Sequence, residues 1–231
     1  MIYAKNTTIP LLYLRSRFEN EFDFKKAFFF FLSALWMGRY SGSAETTLQE
    51  DINKIKRAAN FNSAIESLLT ELKMDPITVD KVKNVMHYQE EGRFLKLLLY
   101  LVLYKKEATD WFSGVRLGYT KQNEVNRNFS IEEHHIFPKS LLRSIGMLDK
   151  SDLLPNIAFI NPGTNKKFRD QPLTYIQKYN LDKRDLEKQL IPLDDEELLK
   201  VQNYDRFLDM RAELITHELN KYLSELYPEQ F

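Results

Sequence analysis

The chain has 231 residues, 43% hydrophobic and 29% charged with only seven glycines, which allows a sizeable core and excludes a disordered or collagen-like polypeptide. It contains no cysteine, which excludes disulfides and a Cys-x-x-Cys structural zinc site and fits a reducing compartment. Its 33 basic and 33 acidic residues cancel, so any attraction for a polyanion must come from the distribution of charge rather than its sum.

Taken in order, Met1 to Asn20 lacks the basic region and apolar core of a secretory leader, so a cytoplasmic location is expected. Phe24 to Arg39, with Phe28-Phe29-Phe30-Phe31, is apolar on every side and predicts a buried helix. Two capping-box patterns follow. Thr46-x-x-Gln49 predicts a helix to about Asn60 with Leu48, Ile52 and Ile55 on one face, and Ser63-x-x-Glu66 predicts another to about Lys73. Beyond Pro76, Val79 to Tyr88 reads as a short helix on which His87, among Val82, Val85 and Met86, is a structural histidine. Arg93 to Lys106 is a long buried helix. Its apolar stretch, Phe94 to Tyr104, is about half the roughly 20 residues a membrane span needs, so no membrane association is expected. Glu107 to Thr120, with Gly114 and Gly118, reads as a connector.

The chemistry lies between Phe129 and Arg169. Glu133-His134-His135-Ile136-Phe137-Pro138 closes a strand predicted to begin at Asn128. Neighbouring strand side chains point to opposite faces. Where Pro138 re-aims the backbone, one histidine can face a metal and the other a water. Lys139 to Gly146 predicts a short helix. Asn156-Ile157-Ala158-Phe159-Ile160, between Pro155 and Pro162-Gly163, predicts a second strand hairpinned to the first. Thr164 is an N-cap candidate, which puts Asn165 in the first turn of a helix to about Asp170, where free backbone N–H groups favour phosphate. Leu173 to Tyr179 adds a further turn or two. Glu132 and Glu133 are expected to face solvent, and Tyr119 and Tyr175 are candidates for stacking on bases, although isolated tyrosines more often pack. Asp194 to Tyr227 is helical by its spacing, with Asp194-Asp195-Glu196-Glu197 as a solvated helix start and His217 as a surface or packing residue. From His134 to Arg169 six basic residues face two acids, whereas Asp185 to Phe231 carries five against twelve, so the histidine segment is a local positive island.

These residues resemble a family. His-His-Ile-x-Pro, then Asn156, then Asn165 nine positions later, is similar to the HNH (ββα-metal) nuclease motif. Trp36-Met37-Gly38-Arg39-Tyr40-Ser41-Gly42-Ser43-Ala44-Glu45-Thr46 and Trp111-Phe112-Ser113-Gly114 extend the likeness over most of the chain. The whole resembles the C-terminal, DUF1524-like nuclease domain of DUF262-type prokaryotic proteins, the group that includes the GmrSD modification-dependent restriction enzymes. The resemblance implies a mostly α fold with a small embedded ββα-metal hairpin and helix. It implies a helical region over residues 1–120, a nuclease core over 121–180 and a C-terminal helical region over 181–231, together one compact unit.

By the same resemblance the protein is a DNA endonuclease of a restriction or phage-defence system, with a non-catalytic DNA-binding or sensing module, or an RNase toxin, as the alternatives. His135 would be the general base and Asn156 its orienter. His134 and Asn165 would hold one divalent ion, and Lys166, Lys167, Arg169 and Lys139 would contact backbone phosphates. Many sites of this type have Asp in place of His134 and His in place of Asn165. Two neutral ligands, one of them an imidazole, leave the ion open between Mg or Mn and the softer Ni, Co or Zn. A ParB-like DUF262 domain or subunit is the partner implied beside DNA, its Asp-Gly-Gln-Gln-Arg signature being absent from this chain, and a homodimer is compatible with cutting both strands.

Overall fold

A computed structural model describes residues 5–118 and 131–230. The expected mostly helical architecture with a small antiparallel hairpin is what it contains. Contacts divide the chain into two compact units, Met1–Pro76 with Asn220–Phe231, and Ile77–Leu219. Among the described residues, no helix is long and apolar enough to cross a membrane.

The first unit is built on α1 (Lys5–Arg17), α2 (Phe24–Trp36), α3 (Ala44–Arg57) and α4 (Phe61–Leu69). Asp23 caps α2 by accepting from the Lys25 and Lys26 N–H groups, and Phe29 and Phe30 are fully buried as the apolar run predicts. Phe28 and Phe31 are only half-buried, and Phe24 stands exposed, stacked on Phe28. Neither expected capping box forms. The α3 helix begins at Ala44 after Ser43, which leaves Thr46 inside it, and the box at α4 is Asn60 with Ser63. Asn60, extended at φ −151°, meets the Ser63 N–H at 2.9 Å; Ser63 itself is already helical. The turn after α2 is tied to α3 by Arg39, whose Nε and Nη2 donate to Asp51 at 2.7 and 2.6 Å, while the Tyr40 hydroxyl donates to the same buried carboxylate at 2.6 Å.

The second unit runs through α5 (Val79–Asn84), α6 (Glu90–Lys105), β1 (Glu132–His135), α7 (Lys139–Ser144), β2 (Ile157–Ile160), α8 (Pro162–Asn165), α9 (Pro172–Tyr179), α10 (Lys183–Lys188) and the part of α11 (Tyr204–Leu226) up to Leu219. The helix expected to reach Tyr88 ends at Asn84, because the next residues pair elsewhere. Val85 C=O accepts from Leu154 N–H at 2.9 Å and His87 N–H donates to Asp152 C=O at 3.0 Å, an antiparallel clip between residues 85–87 and 152–154. Gly92 lets α6 cross this clip; a Cβ there would lie 1.9 Å from the Met86 oxygen.

β1 and β2 pair antiparallel, Glu132 opposite Ile160 and His135 opposite Ile157, as the apolar run between prolines predicts. The part of the predicted first strand before Ile131, and Tyr119, lie outside the described residues. A two-stranded hairpin is marginal alone. Here side chains brace its open edge. Gln189 accepts from Phe159 N–H at 3.0 Å and donates to Phe159 C=O at 2.8 Å, completing the ladder that a third strand would supply. Arg211, fully buried on α11, donates to the carbonyls of Pro155, Ile157, Gln189 and Leu190 at 2.6, 2.8, 3.1 and 3.2 Å. Leu190 is held by this grip at φ +58°, a conformation a β-carbon disfavours. Beneath the hairpin, Phe137, Tyr204 and Phe207 pack edge to face in a core that also takes in Ile136, Leu142 and Phe168.

Arg211→Leu removes the donor and leaves four buried carbonyls unpaired. It is expected to destabilise the second unit by about 3 to 5 kcal/mol, read from urea unfolding followed by circular dichroism. A parental unfolding midpoint would overturn the bracing role.

Candidate functional site

Strand alternation sorts the site into two faces. Glu132 and His134 project to one side of β1, Glu133 and His135 to the other.

On the first face His134 is almost fully buried in an aromatic box, with the rings of Phe168, Trp111 and Tyr175 centred 5.6, 5.9 and 6.2 Å from its own. Its Nδ1 lies 2.9 Å from Asn165 Oδ1, and Asn165 Nδ2 donates to Glu132 Oε2 at 2.9 Å. A carboxylate only accepts, so Glu132 fixes the amide the right way round to present its oxygen to His134. Glu132 is thus an orienter, not the solvent-facing residue expected. His134 Nε2 is buried with no hydrogen-bond partner. Burial drives the His134 pKa down to about 4, with the Asn165 hydrogen bond opposing, so the ring is neutral at pH 7, the form that ligates metals. Two donors each about 2.1 Å from one ion and at right angles would be about 3.0 Å apart. An amide oxygen only accepts, so Nδ1 donates to Asn165 Oδ1 here; with that proton given up, the same spacing would suit a cation shared by the two.

Asn165 reaches this position from α8, a single turn. Thr164 is not its cap; Asn161 occupies that place, and the Thr164 hydroxyl donates instead to buried Asp110 at 2.8 Å. Asp110 also accepts from the N–H groups of Asn161, Phe112 and Ser113, which stitches residues 110–113 to the start of α8. The helix ends at Asn165 rather than Asp170.

On the second face His135 Nε2 lies 2.8 Å from Asp152 Oδ1. Its Nδ1 makes no hydrogen bond among the described residues. Burial lowers the His135 pKa, with the Asp152 hydrogen bond opposing. Asp152 is the converse: burial alone would raise its carboxyl, but hydrogen bonds from Lys139 and His135 hold it down at about 2. Lys139 Nζ sits 2.8 Å from the carboxylate, within reach of both oxygens. His87, off any helix, bridges outward: Nε2 is 3.3 Å from Asp152 Oδ1 and Nδ1 is 2.7 Å from Glu133 Oε2, while Lys96 pairs with Glu133. His87, His135 and Asp152 offer ligand atoms within 4.8 Å of one another, so they could also hold a metal, but the ammonium groups of Lys139 and Lys96 already occupy the charge of the two carboxylates and would repel a second cation.

Asn156 does not touch His135. Its buried amide accepts from Phe137 N–H at 2.9 Å and donates to the carbonyls of Phe137 and Ser151 at 3.1 and 2.9 Å. The orienter expected for the imidazole is instead a clasp on the turn that follows it, and Asp152 takes the ring. Tyr175, expected as a base-stacking candidate, is fully buried and donates to Ile136 C=O at 3.1 Å.

The two faces meet at a cavity of about 360 Å³ lined by His134, His135, Pro138, Lys139, Ser140, Asn165, Phe168 and Arg169. Of the four expected phosphate contacts, Lys139 and Arg169 stand on its wall. Lys166 and Lys167 are exposed beyond it, with Lys167 Nζ 4.1 Å above the ring of exposed Phe112. Residues missed by sequence reading are Asp152, His87, Glu132 and Glu133 in their orienting roles. Their signal was weak, since an acid 17 positions from His135 and a histidine 48 positions before it carry no local pattern.

No protein-family model matches the chain. It is similar to uncharacterized protein MJ0686 of Methanocaldococcus jannaschii, 24% identical over 87% of this chain and 38% of that protein. The chain thus spans well under half the length of the curated relative it matches. No solved structure matches.

The depressed His134 pKa has a consequence for stability. Below about 6.5 the unfolded ring takes a proton that the folded ring refuses until about 4, so stability falls as pH drops through that window and is unaffected above it. In chelator-treated protein the loss is expected to reach about 3 kcal/mol by pH 4, with His135 adding in the same direction. His134→Phe is expected to flatten the profile measured by urea unfolding at stepped pH; an unchanged slope would overturn the assignment.

Proposed function

We propose that this protein is a divalent-metal-dependent DNA endonuclease of the HNH type, acting in prokaryotic restriction or phage defence. The observation that carries the reading is the meeting of His134 with Asn165, 31 residues away in sequence, at 2.9 Å and on the same cavity as His135. The hairpin that leads into the Asn165 turn supplies the ββα order of that family. Two neutral donors beside two cationic side chains, Lys139 and Arg169, suit an anionic, phosphate-bearing substrate better than any cationic or apolar one.

In this reading the phosphodiester enters with its non-bridging oxygens toward Lys139 and Arg169. When bound between His134 and Asn165, a divalent cation would neutralise charge on the scissile phosphate and on the departing oxygen. His135, neutral at pH 7 with Nε2 hydrogen-bonded to Asp152, presents Nδ1 as the base. It takes one proton from the attacking water as the water oxygen bonds to phosphorus and the P–O3′ bond breaks. The O3′ leaves with a proton from solvent, giving a 5′-phosphate and a 3′-hydroxyl. Exposed Lys166 and Lys167 lie where the flanking backbone would run, and the sequence-blind character of such contacts leaves any recognition of modified bases to a partner such as a ParB-like DUF262 domain.

Incubating supercoiled plasmid with the protein and Mn²⁺ or Mg²⁺, against an EDTA control and an RNA substrate in parallel, tests this directly. Metal-dependent nicking of DNA is expected. His135→Ala should reduce it by at least about 100-fold with DNA retention in mobility shift unchanged; equal cleavage, or retardation with no nicking, would reject the nuclease. Arg169→Ala and Lys166→Ala should each weaken DNA binding several-fold and reduce the salt slope by about one, the mark of a lost phosphate contact. A parental salt slope in both variants would place the DNA elsewhere.

A further inference from the structure

A base needs a partner that fixes its ring, and Asn156, the carboxamide that the family resemblance nominated, is engaged with backbone. The group in contact with the ring is Asp152, 2.8 Å from His135 Nε2. Because a carboxylate only accepts, the hydrogen lies on Nε2, and Nδ1 is left as the lone pair. Asp152 is itself immobilised three ways. Its backbone carbonyl accepts from His87 N–H at 3.0 Å, its carboxylate is held by Lys139 at 2.8 Å, and the His87 ring reaches it at 3.3 Å while anchored on Glu133. A carboxylate this constrained sets both the tautomer and the tilt of the imidazole, the division of labour known from histidine bases backed by a carboxylate.

We propose that Asp152 is the positioning residue of His135, with Lys139, His87, Glu133 and Lys96 as the frame that holds it. The assignment rests on the nuclease reading above and names the group that makes its base competent. Lys139 then has two duties, since the ammonium that fixes Asp152 also lines the cavity where phosphate would sit.

The test uses the full chain with Asp152→Asn, which keeps the side-chain volume, and Asp152→Ala. In plasmid-nicking kinetics both variants are expected to lower kcat by about 10- to 100-fold while KM changes by no more than a few-fold, because of the proposed substrate contacts only Lys139 is paired with Asp152. A loss confined to folding would instead reduce the active fraction, which unfolding midpoints and active-site titration would report. An independent readout is the ring N–H of His135 in ¹⁵N-labelled protein, assigned by its absence in His135→Gln. A hydrogen bond to a carboxylate places that proton far downfield and slows its exchange, and both effects should vanish in Asp152→Ala. Parental kcat in either Asp152 variant, or a parent spectrum without the downfield proton, overturns the positioning role while leaving the nuclease standing. A parent protein that cuts nothing with any of the metals removes the nuclease reading and this proposal with it.

Discussion

The side chain of Asn156 is fully buried and directs its three hydrogen bonds to the backbone of Phe137 and Ser151. One end of that clasp is the exit from β1, immediately after the two histidines; the other is the residue before Asp152. Shielded from water, each of these bonds is costly to lose, because the alternative is an unpaired polar group in the core. The clasp therefore sets the distance between His135 and Asp152 before either side chain contributes any attraction of its own.

The hairpin could not carry this load alone. Two four-residue strands offer few ladder bonds, and the second strand is apolar on both faces with an open edge. Gln189 completes that edge as a substitute strand, and Arg211 gathers four carbonyls from the segments on either side. The clip of residues 85–87 on residues 152–154 then holds the acid's own loop. The site is thus positioned by side chains drawn from residues 85 to 211, which is why so little of its geometry is local.

The two faces of β1 are chemically distinct. Around His134 the surroundings are aromatic, the ring is neutral, and Glu132 acts on it through the Asn165 amide, with buried Arg211 and Asp110 adding opposed electrostatic effects. Around His135 the surroundings are ionic, with two carboxylates and two ammonium groups interleaved with two imidazoles. Adjacent histidines with opposite environments can hold different protons and different partners, which is what separate ligand and base roles require.

Much of the secondary structure was legible in the chain. The apolar run of β2 between prolines, the alternation that separates His134 from His135, and the amphipathic spacing of α3 and α4 are periodic signals that local sterics impose. Helix starts were read less well, because several Ser, Thr and Asn residues precede each apolar face and tertiary contacts choose among them; Asp110 takes Thr164 out of the capping role. That His134 and Asn165 would meet was implied by the resemblance of their motif to a known family. The roles of Asp152, His87 and Glu132, and the engagement of Asn156 with backbone rather than imidazole, were decided only by the tertiary structure. Strand and helix periods report which way a side chain faces, over a few residues. Which group it meets there depends on segments brought together across 17 to 65 positions, and a period carries no information over that distance.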